Sequence, residues 1–151
     1  DEIVAVAVVQ VHDHFGVGVG VEVVAVSIDS QFTHNAWRNT AIKDGGIGAV
    51  TYTMAADINH DICRSYDVES AGGVAYRGAF LIDPQGKVRS QLVNDLPLGR
   101  NIDELIRLVE ALQFTDQHGE VCPAGWNKGD KGMSASPDGV AAYLSKHAAS
   151  L

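Results

Sequence analysis

Apolar and polar positions follow two different periods along this chain, and the changes of period mark out its elements. Residues 21–29, "VEVVAVSID", are a short β-branched apolar run, the pattern of a buried strand in an α/β sheet. Residues 30–43 carry Trp37 and Ile42 among polar positions and predict a short helix ended by Gly45 and Gly46. A second strand is expected over 49–57, then a helix over 59–66 with Asn59 as its cap. "VAYRGAFLID", "PQGK" and "VRSQLVN" read as a hairpin whose turn holds Pro84 and Gly86. Asn101 caps a well-formed helix, because Ile102, Leu105, Ile106, Val109 and Leu112 fall on one face. Past Gly119 the pattern is loop-like as far as Ser136 and Pro137, a cap with proline in the first turn. The last helix puts Val140, Tyr143, Leu144 and Ala148 along one stripe, as in an arm that docks on something. Together these elements predict an α/β fold, a sheet with helices on its faces.

The first twenty residues fit less well. "IVAVAVVQV" and "GVGVGVEVV" alternate with a period near two, so propensity says strand. Gly16, Gly18 and Gly20 resemble a dinucleotide loop, but the third glycine comes one place early and the downstream acid is not evident. His12, Asp13 and His14 lack further ligands and read as a polar loop, so no metal site is expected there.

Composition narrows the function classes. The 151 residues suit one domain with a real core, and 46% apolar with 20% charged residues is ordinary for a globular protein. Eleven basic against nineteen acidic side chains give a net charge of −8, with no basic run to meet a nucleic-acid backbone. Each apolar stretch is interrupted by Gly, His, Asp or Glu before it could span a membrane. Two cysteines are too few for a disulfide framework, and the acidic start is unlike a secretory signal, so a cytoplasmic protein with working thiols is expected.

Cys122, followed by Pro123 and set among His118, Glu120 and a Gly/Lys/Asp run, is not dressed like a core residue. Cys63, with Ile62 and Tyr66 on the same helical side, reads as a small buried hydrophobe. Arg77 sits in a strand otherwise made for burial and needs a partner or a job. The residues alone leave a structural ion pair and an anion- or thiolate-facing role equally open. Trp37 and Trp126 are packing residues by default.

"VSIDSQFTHNAWRNT", "GGIG", the long run from "VAYRGAFLID" through "NDLPLGR" to "VEALQF", and "HGEVCPAGW" occur in that order. This series resembles the typical two-cysteine peroxiredoxins, the bacterial alkyl hydroperoxide reductases in particular. The resemblance implies a thioredoxin-like fold, with a core over 1–117 and a C-terminal arm over 118–151. It implies a peroxidase acting on hydrogen peroxide and organic hydroperoxides without a cofactor or metal. A peroxidatic thiolate becomes a sulfenic acid, and the partner protomer's resolving cysteine condenses with it. Thioredoxin or a flavoprotein reductase reopens that disulfide.

Position by position, Cys122 matches the resolving cysteine and Arg77 the arginine that activates thiolate and peroxide. Arg100 matches a second arginine in structural support, and Glu2 matches the glutamate of the peroxidatic motif. Gly45, Gly46 and Gly48 match a GGLG element, with Ile47 for leucine. Tyr143 and Leu144 stand where the family often has Tyr-Phe. Those two elements slow the local unfolding that disulfide formation needs, and Leu144 departs from the pattern. Phe32, Thr33, His34 and Trp37 match the dimer–dimer contact of decameric rings.

The main departure is at the start. The peroxidatic motif ends "FVCP(T/S)E", so its cysteine is expected just upstream of Asp1, together with the first strands of the sheet. The resemblance also implies an amphipathic helix over 6–20, whereas this stretch has almost no charges and three alternate glycines, so misassigned residues there are a further expectation. The alternative function is that of a catalytically silent protomer, structural or chaperone-like, in a ring. The joint presence of Cys122 and Arg77 favours the enzyme, since a silent protomer needs neither. A thioredoxin-type oxidoreductase is disfavoured because there is no C-x-x-C.

Overall fold

The valine-rich runs form the middle of a five-stranded sheet. A computed structural model of the chain describes residues 6–11, by backbone, and 20–148. Residues 1–100 and 101–151 make two compact units, so the long helix groups with the C-terminal segment and the boundary falls before it, not at 117.

In the first unit, β1 (Val6–Val11), β2 (Val21–Ser27), β3 (Thr53–Ala56), β4 (Arg77–Ile82) and β5 (Val88–Asn94) stand in the order β3-β2-β1-β4-β5. β1 runs antiparallel to β2, Val8 facing Val24, and parallel to β4, Val8 facing Phe80. β3 lies parallel to β2, and β5 closes the other edge antiparallel to β4. The period-two reading of the first residues therefore holds over Val6–Val11, and the helix implied by the resemblance does not form there. Alternating Val and Ala suit a pleated ladder better than a helix, where each valine loses side-chain freedom. Glu2, His12, Asp13, His14, Gly16 and Gly18 lie outside the described residues.

Two helices pack with this sheet. α1 (Gln31–Asn39) starts at Ser30, whose hydroxyl accepts from the Thr33 N–H at 3.2 Å. It ends four residues before the expected Lys43, because Thr40 leaves the helix in an extended conformation and a 3-10 turn (Ile42–Asp44) follows. α2 (Asp61–Ser65) corrects the cap assignment. His60, with φ 63°, is the residue before the helix, and its side chain makes no cap bond. The buried Asp57 carboxylate serves instead, accepting from the N–H groups of Ile62 at 3.0 Å and Cys63 at 2.8 Å. Val26, Cys63, Val68, Ala75, Phe80 and Ile82 form the core cluster of this unit. Tyr66 meets Phe80 edge-on at 4.6 Å, a pairing worth about 0.5–1.5 kcal/mol beyond its buried area.

In the second unit, α3 (Ile102–His118) is capped by Asn101, which accepts from the Glu104 N–H at 3.1 Å, and ends on left-handed Gly119. Its stripe is only partly inside: Val109 and Leu112 are buried, while Ile102 and Ile106 are exposed. α4 (Pro137–His147) begins at Ser136, whose hydroxyl accepts from the Gly139 N–H, with Pro137 in its first turn.

Acid should loosen this architecture in a defined window. Burial raises the Asp57 carboxyl, but the N–H donations from Ile62 and Cys63 outweigh it and leave it below its ordinary value of 3.8. The Lys87 N–H likewise holds Asp83 down, against burial and helped by Arg89. A lowered folded-state pKa contributes stability that is complete above the unfolded value and is lost as pH falls through the folded one. Urea midpoints are therefore expected to stay level above about pH 5 and to drop below about pH 4. Asp57→Asn should flatten that drop, which a pH series of unfolding curves checks.

Candidate active site

Cys122 is placed by α3 and by a loop folded back on it. Val121 and Met133 exchange both backbone hydrogen bonds, at 2.9 and 3.0 Å, and close the segment 121–133. Inside it Trp126 is 2% exposed, 4.9 Å from the Phe114 ring, and its indole N–H donates to the Asp130 carbonyl. Arg107 clamps the loop from α3. Its Nη1 donates to the Trp126 carbonyl at 2.9 Å, while Nε and Nη2 form a fork on Glu104 at 2.6 and 2.8 Å. Within this frame Cys122 is half-buried, with Sγ 3.7 Å from the Ala111 carbonyl and 3.8 Å from Thr115 Oγ1. The Arg107 guanidinium also interacts electrostatically with it. A sulfur so placed is held by weak contacts on a surface loop, where a second sulfur can reach it by thiol–disulfide exchange. Trp126 is a packing residue, as its type suggests, and it forms the base of that loop.

In the first unit the structure joins Arg77 and Arg100 through one turn. Arg77 opens β4 and its Nε donates to the Leu96 carbonyl at 2.8 Å. Arg100 reaches back with Nε to the carbonyl of Gly78 at 3.1 Å, and Asn94 spans the turn to the Gly99 carbonyl at 2.9 Å. "NDLPLGR" is thus a loop closed by side chains onto the start of β4.

Gly45, Gly46 and Gly48 meet α1. The Ile47 N–H donates to the Trp37 carbonyl at 3.0 Å, and the Gly48 N–H to that of Thr40 at 3.1 Å. Two groups that the sequence keeps apart, the glycine element and the Phe32–Trp37 segment, are therefore one local structure. Phe32 is 76% exposed, while His34 is buried, 2.7 Å through Nε2 from Ser27 Oγ and 5.6 Å from the Trp37 ring. Burial lowers the His34 pKa, against the nearby Asp29 carboxylate. Thr33 is held by the Ser30 hydroxyl at 3.1 Å. On α4, Tyr143 stacks on His147 at 4.5 Å and Leu144 is exposed.

The glycines differ in what they tolerate. A Cβ on Gly46 would sit 2.1 Å from the Thr40 carbonyl oxygen, a backbone atom that cannot step aside, whereas one on Gly45 meets nothing within 4 Å. Gly45 has φ +86°, so alanine there carries only the left-handed penalty of about 1–2 kcal/mol. Gly46→Ala is expected to destabilise by up to about 3 kcal/mol and to move the turn. Thermal melts of both variants check the order: Gly46→Ala must melt lower.

Sequence reasoning missed one cluster. His60, Cys63 and Glu69 bring three ligand-bearing side chains together beside Asp57. Cys63 is buried as expected, but the spacing H-x-x-C followed by a glutamate was a signal available in the sequence.

A mixed five-stranded sheet with helices packed on it, and a later loop that holds one half-buried cysteine, belong to a thioredoxin-like fold, the fold of the solved structures this chain superposes on. Comparison with known proteins specifies the family. Residues 5–91 match the AhpC/TSA family, and residues 111–146 match the C-terminal domain of 1-Cys peroxiredoxin. The chain belongs to the AhpC/TSA peroxiredoxin family. It is 57% identical over 126 residues to alkyl hydroperoxide reductase C of Helicobacter pylori (strain ATCC 700392 / 26695), covering 83% of this chain and 64% of that protein. It is 50% identical over 123 residues to peroxiredoxin-2 of Rattus norvegicus, covering 81% of this chain and 62% of that one. Among solved structures, reduced 2-Cys peroxiredoxin of Plasmodium vivax superposes with a TM-score of 0.82 at 36% identity, covering 93% of this chain and 82% of its own. The chain thus spans less than two thirds of the curated relatives it matches.

Proposed function

We propose that the protein is a thiol-dependent peroxidase that reduces hydrogen peroxide and organic hydroperoxides. The observation that carries the reading is the contrast between its two thiols. Cys122 is half-buried on a loop fastened to α3, inside the family's "HGEVCPAGW" element, while Cys63 is buried in the core. The relatives' name, alkyl hydroperoxide reductase, supports the substrate class.

The chemistry needs a second cysteine as attacker, and by the resemblance it belongs immediately upstream of Asp1. Its thiolate takes one oxygen of the O–O bond, and the other oxygen leaves with a proton as water or alcohol. The resulting sulfenic acid condenses with the Cys122 thiol of the partner protomer, losing water and forming a disulfide. A dithiol reductant, thioredoxin or a flavoprotein disulfide reductase, reopens it by exchange and is itself oxidised. Arg77 lowers the pKa of the attacking thiol and polarises the peroxide. Arg100 supports the pocket through Gly78, and Glu2 enters by the resemblance alone, as the glutamate of the peroxidatic motif. A homodimer follows from this pairing, with Phe32, Thr33 and Trp37 joining dimers into a decameric ring and the buried His34 supporting that segment from beneath. Gly45, Gly46, Gly48, Tyr143 and Leu144 set the pace of local unfolding. A reducing cytoplasm suits a catalytic, reversible disulfide. No described helix is long and apolar enough to cross a membrane.

The test starts from the protein purified from its source, reduced, alkylated and weighed intact. A mass above 16.0 kDa with a third alkylated thiol, and peroxide consumption coupled to a thiol reductant, is the expected outcome. Two thiols only, with no peroxide consumed, would sink the peroxidase and leave the silent ring protomer in its place.

A further inference from the structure

We infer that His60, Cys63 and Glu69 form a binding site for one divalent transition-metal ion of the zinc type, apart from the peroxide chemistry. Their donor atoms, an imidazole nitrogen, Sγ and a carboxylate oxygen, lie within 4.8 Å of one another. In a tetrahedral zinc site with Zn–N near 2.0 Å and Zn–S near 2.3 Å, ligand atoms stand roughly 3.3–3.8 Å apart. Closing this set around an ion therefore takes movements of the donor atoms of about an ångström.

Each ligand is held in place by the chain. His60 sits at φ 63°, an uncommon conformation outside glycine, directly before α2. Cys63 follows three residues on, one helical turn later, its N–H fixed by Asp57. Glu69 is brought over by its bridge to Ala75. Its Oε1 faces His60 Nδ1 at 2.5 Å and accepts from Arg64 Nη2 at 3.3 Å, and its Oε2 accepts from Arg64 Nε at 2.7 Å. The shorter contact, to Oε2, suits a ligating carboxylate, whose outer oxygen needs a donor to orient it, while the longer one, to Oε1, gives way to the ion. The His60 and Glu69 side chains are 23% and 22% exposed, so an ion enters from their side and meets the 1%-exposed Cys63 last.

The donor set chooses the ion. Thiolate with imidazole and one carboxylate suits zinc, cobalt or copper, and disfavours magnesium and calcium, which take oxygen. Without a cation the buried thiol is ill placed to ionise, because burial, then Asp57 and Glu69, push its pKa up. On binding, the Cys63 proton passes to solvent, the His60–Glu69 hydrogen bond gives way to two metal bonds, and no electron moves.

Cobalt(II) titrated into the Cys122→Ser protein tests this, since Cys122 can then contribute no thiolate and the Cys63→Ser comparison in the same background separates Cys63 from any further thiol. One equivalent is expected to produce a thiolate-to-cobalt charge-transfer band that zinc(II) bleaches. His60→Asn keeps a residue that tolerates the left-handed backbone and should weaken binding more than about tenfold. Cys63→Ser should remove the band. Because a buried substitution risks the fold, the protein retaining Cys63 gives a second readout: zinc must slow alkylation of that thiol, counted by mass. No band in the Cys122→Ser protein, an undiminished band after His60→Asn, or alkylation indifferent to zinc would each overturn the site and leave a structural hydrogen-bond cluster.

Discussion

On the peroxidase proposal, Cys122→Ser is expected to abolish a peroxide-induced disulfide between protomers, and with it all turnover supported by a thiol reductant. Serine differs from cysteine by one atom, and it gives up only weak contacts, such as the one that Sγ makes to the Ala111 carbonyl at 3.7 Å. The loop itself hangs on Trp126, the Arg107 fork and the Val121–Met133 pair, none of which uses the sulfur. The melting temperature should therefore barely change while the chemistry stops. Without a resolving thiol the sulfenic acid has no partner, and repeated peroxide drives it to the sulfinic acid, one oxygen further along the ladder. Non-reducing electrophoresis and intact mass separate these fates: a monomer with an overoxidised cysteine in the variant, a disulfide-linked dimer in the parent. A dimer that persists in Cys122→Ser would transfer the resolving role elsewhere. Cys63 could accept it only by unfolding α2, because its sulfur is in the core.

How much of this is legible in the sequence depends on the range over which each signal acts. The caps at Asn101 and Ser136 can be read directly, because hydroxyl and amide side chains reach only their own first turn. The cap of α2 misleads for the opposite reason. Asn59 has the right side chain, but Asp57, already buried beyond the end of β3, reaches the same N–H groups first. The pairing of β1 with both β2 and β4 cannot be read at all, since period two says strand without naming a neighbour. The same limit hides part of the site. Arg77 is visible as a cation in an apolar strand, yet its tie to Leu96, nineteen residues on, exists only after the hairpin has formed. Cys122 is conspicuous because its polar flanks are local. The ligand cluster at Cys63 escapes notice because the core character of that cysteine, itself legible, masks the company it keeps.

Arg77 carries the second large effect, and its variants separate the two roles its sequence leaves open. Its Nε is engaged by the Leu96 carbonyl at 2.8 Å, which fixes the plane of the guanidinium at the start of β4. In the peroxidase reading that fixed cation stabilises thiolate and the charge developing on the peroxide oxygens. Losing one preorganised donor of this kind costs about 10²–10³ in rate, or about 2.7–4 kcal/mol. Arg77→Gln in the full protein is thus expected to slow peroxide reduction by that factor. Removing a nearby positive charge also raises the pKa of the attacking thiol, so the rate profile should move to higher pH. Arg77→Lys keeps the charge without the planar fork, and should recover the pH profile more fully than the rate. Either variant loses the bond to Leu96, a structural loss of about 1 kcal/mol that a melt will show. Stopped-flow rates across pH therefore decide between the roles. A slow, alkaline-shifted Arg77→Gln, partly rescued by lysine, marks a residue that acts on the sulfur. A lowered melting temperature with rate and pH profile unchanged would make Arg77 the fastening of the "NDLPLGR" turn and nothing more.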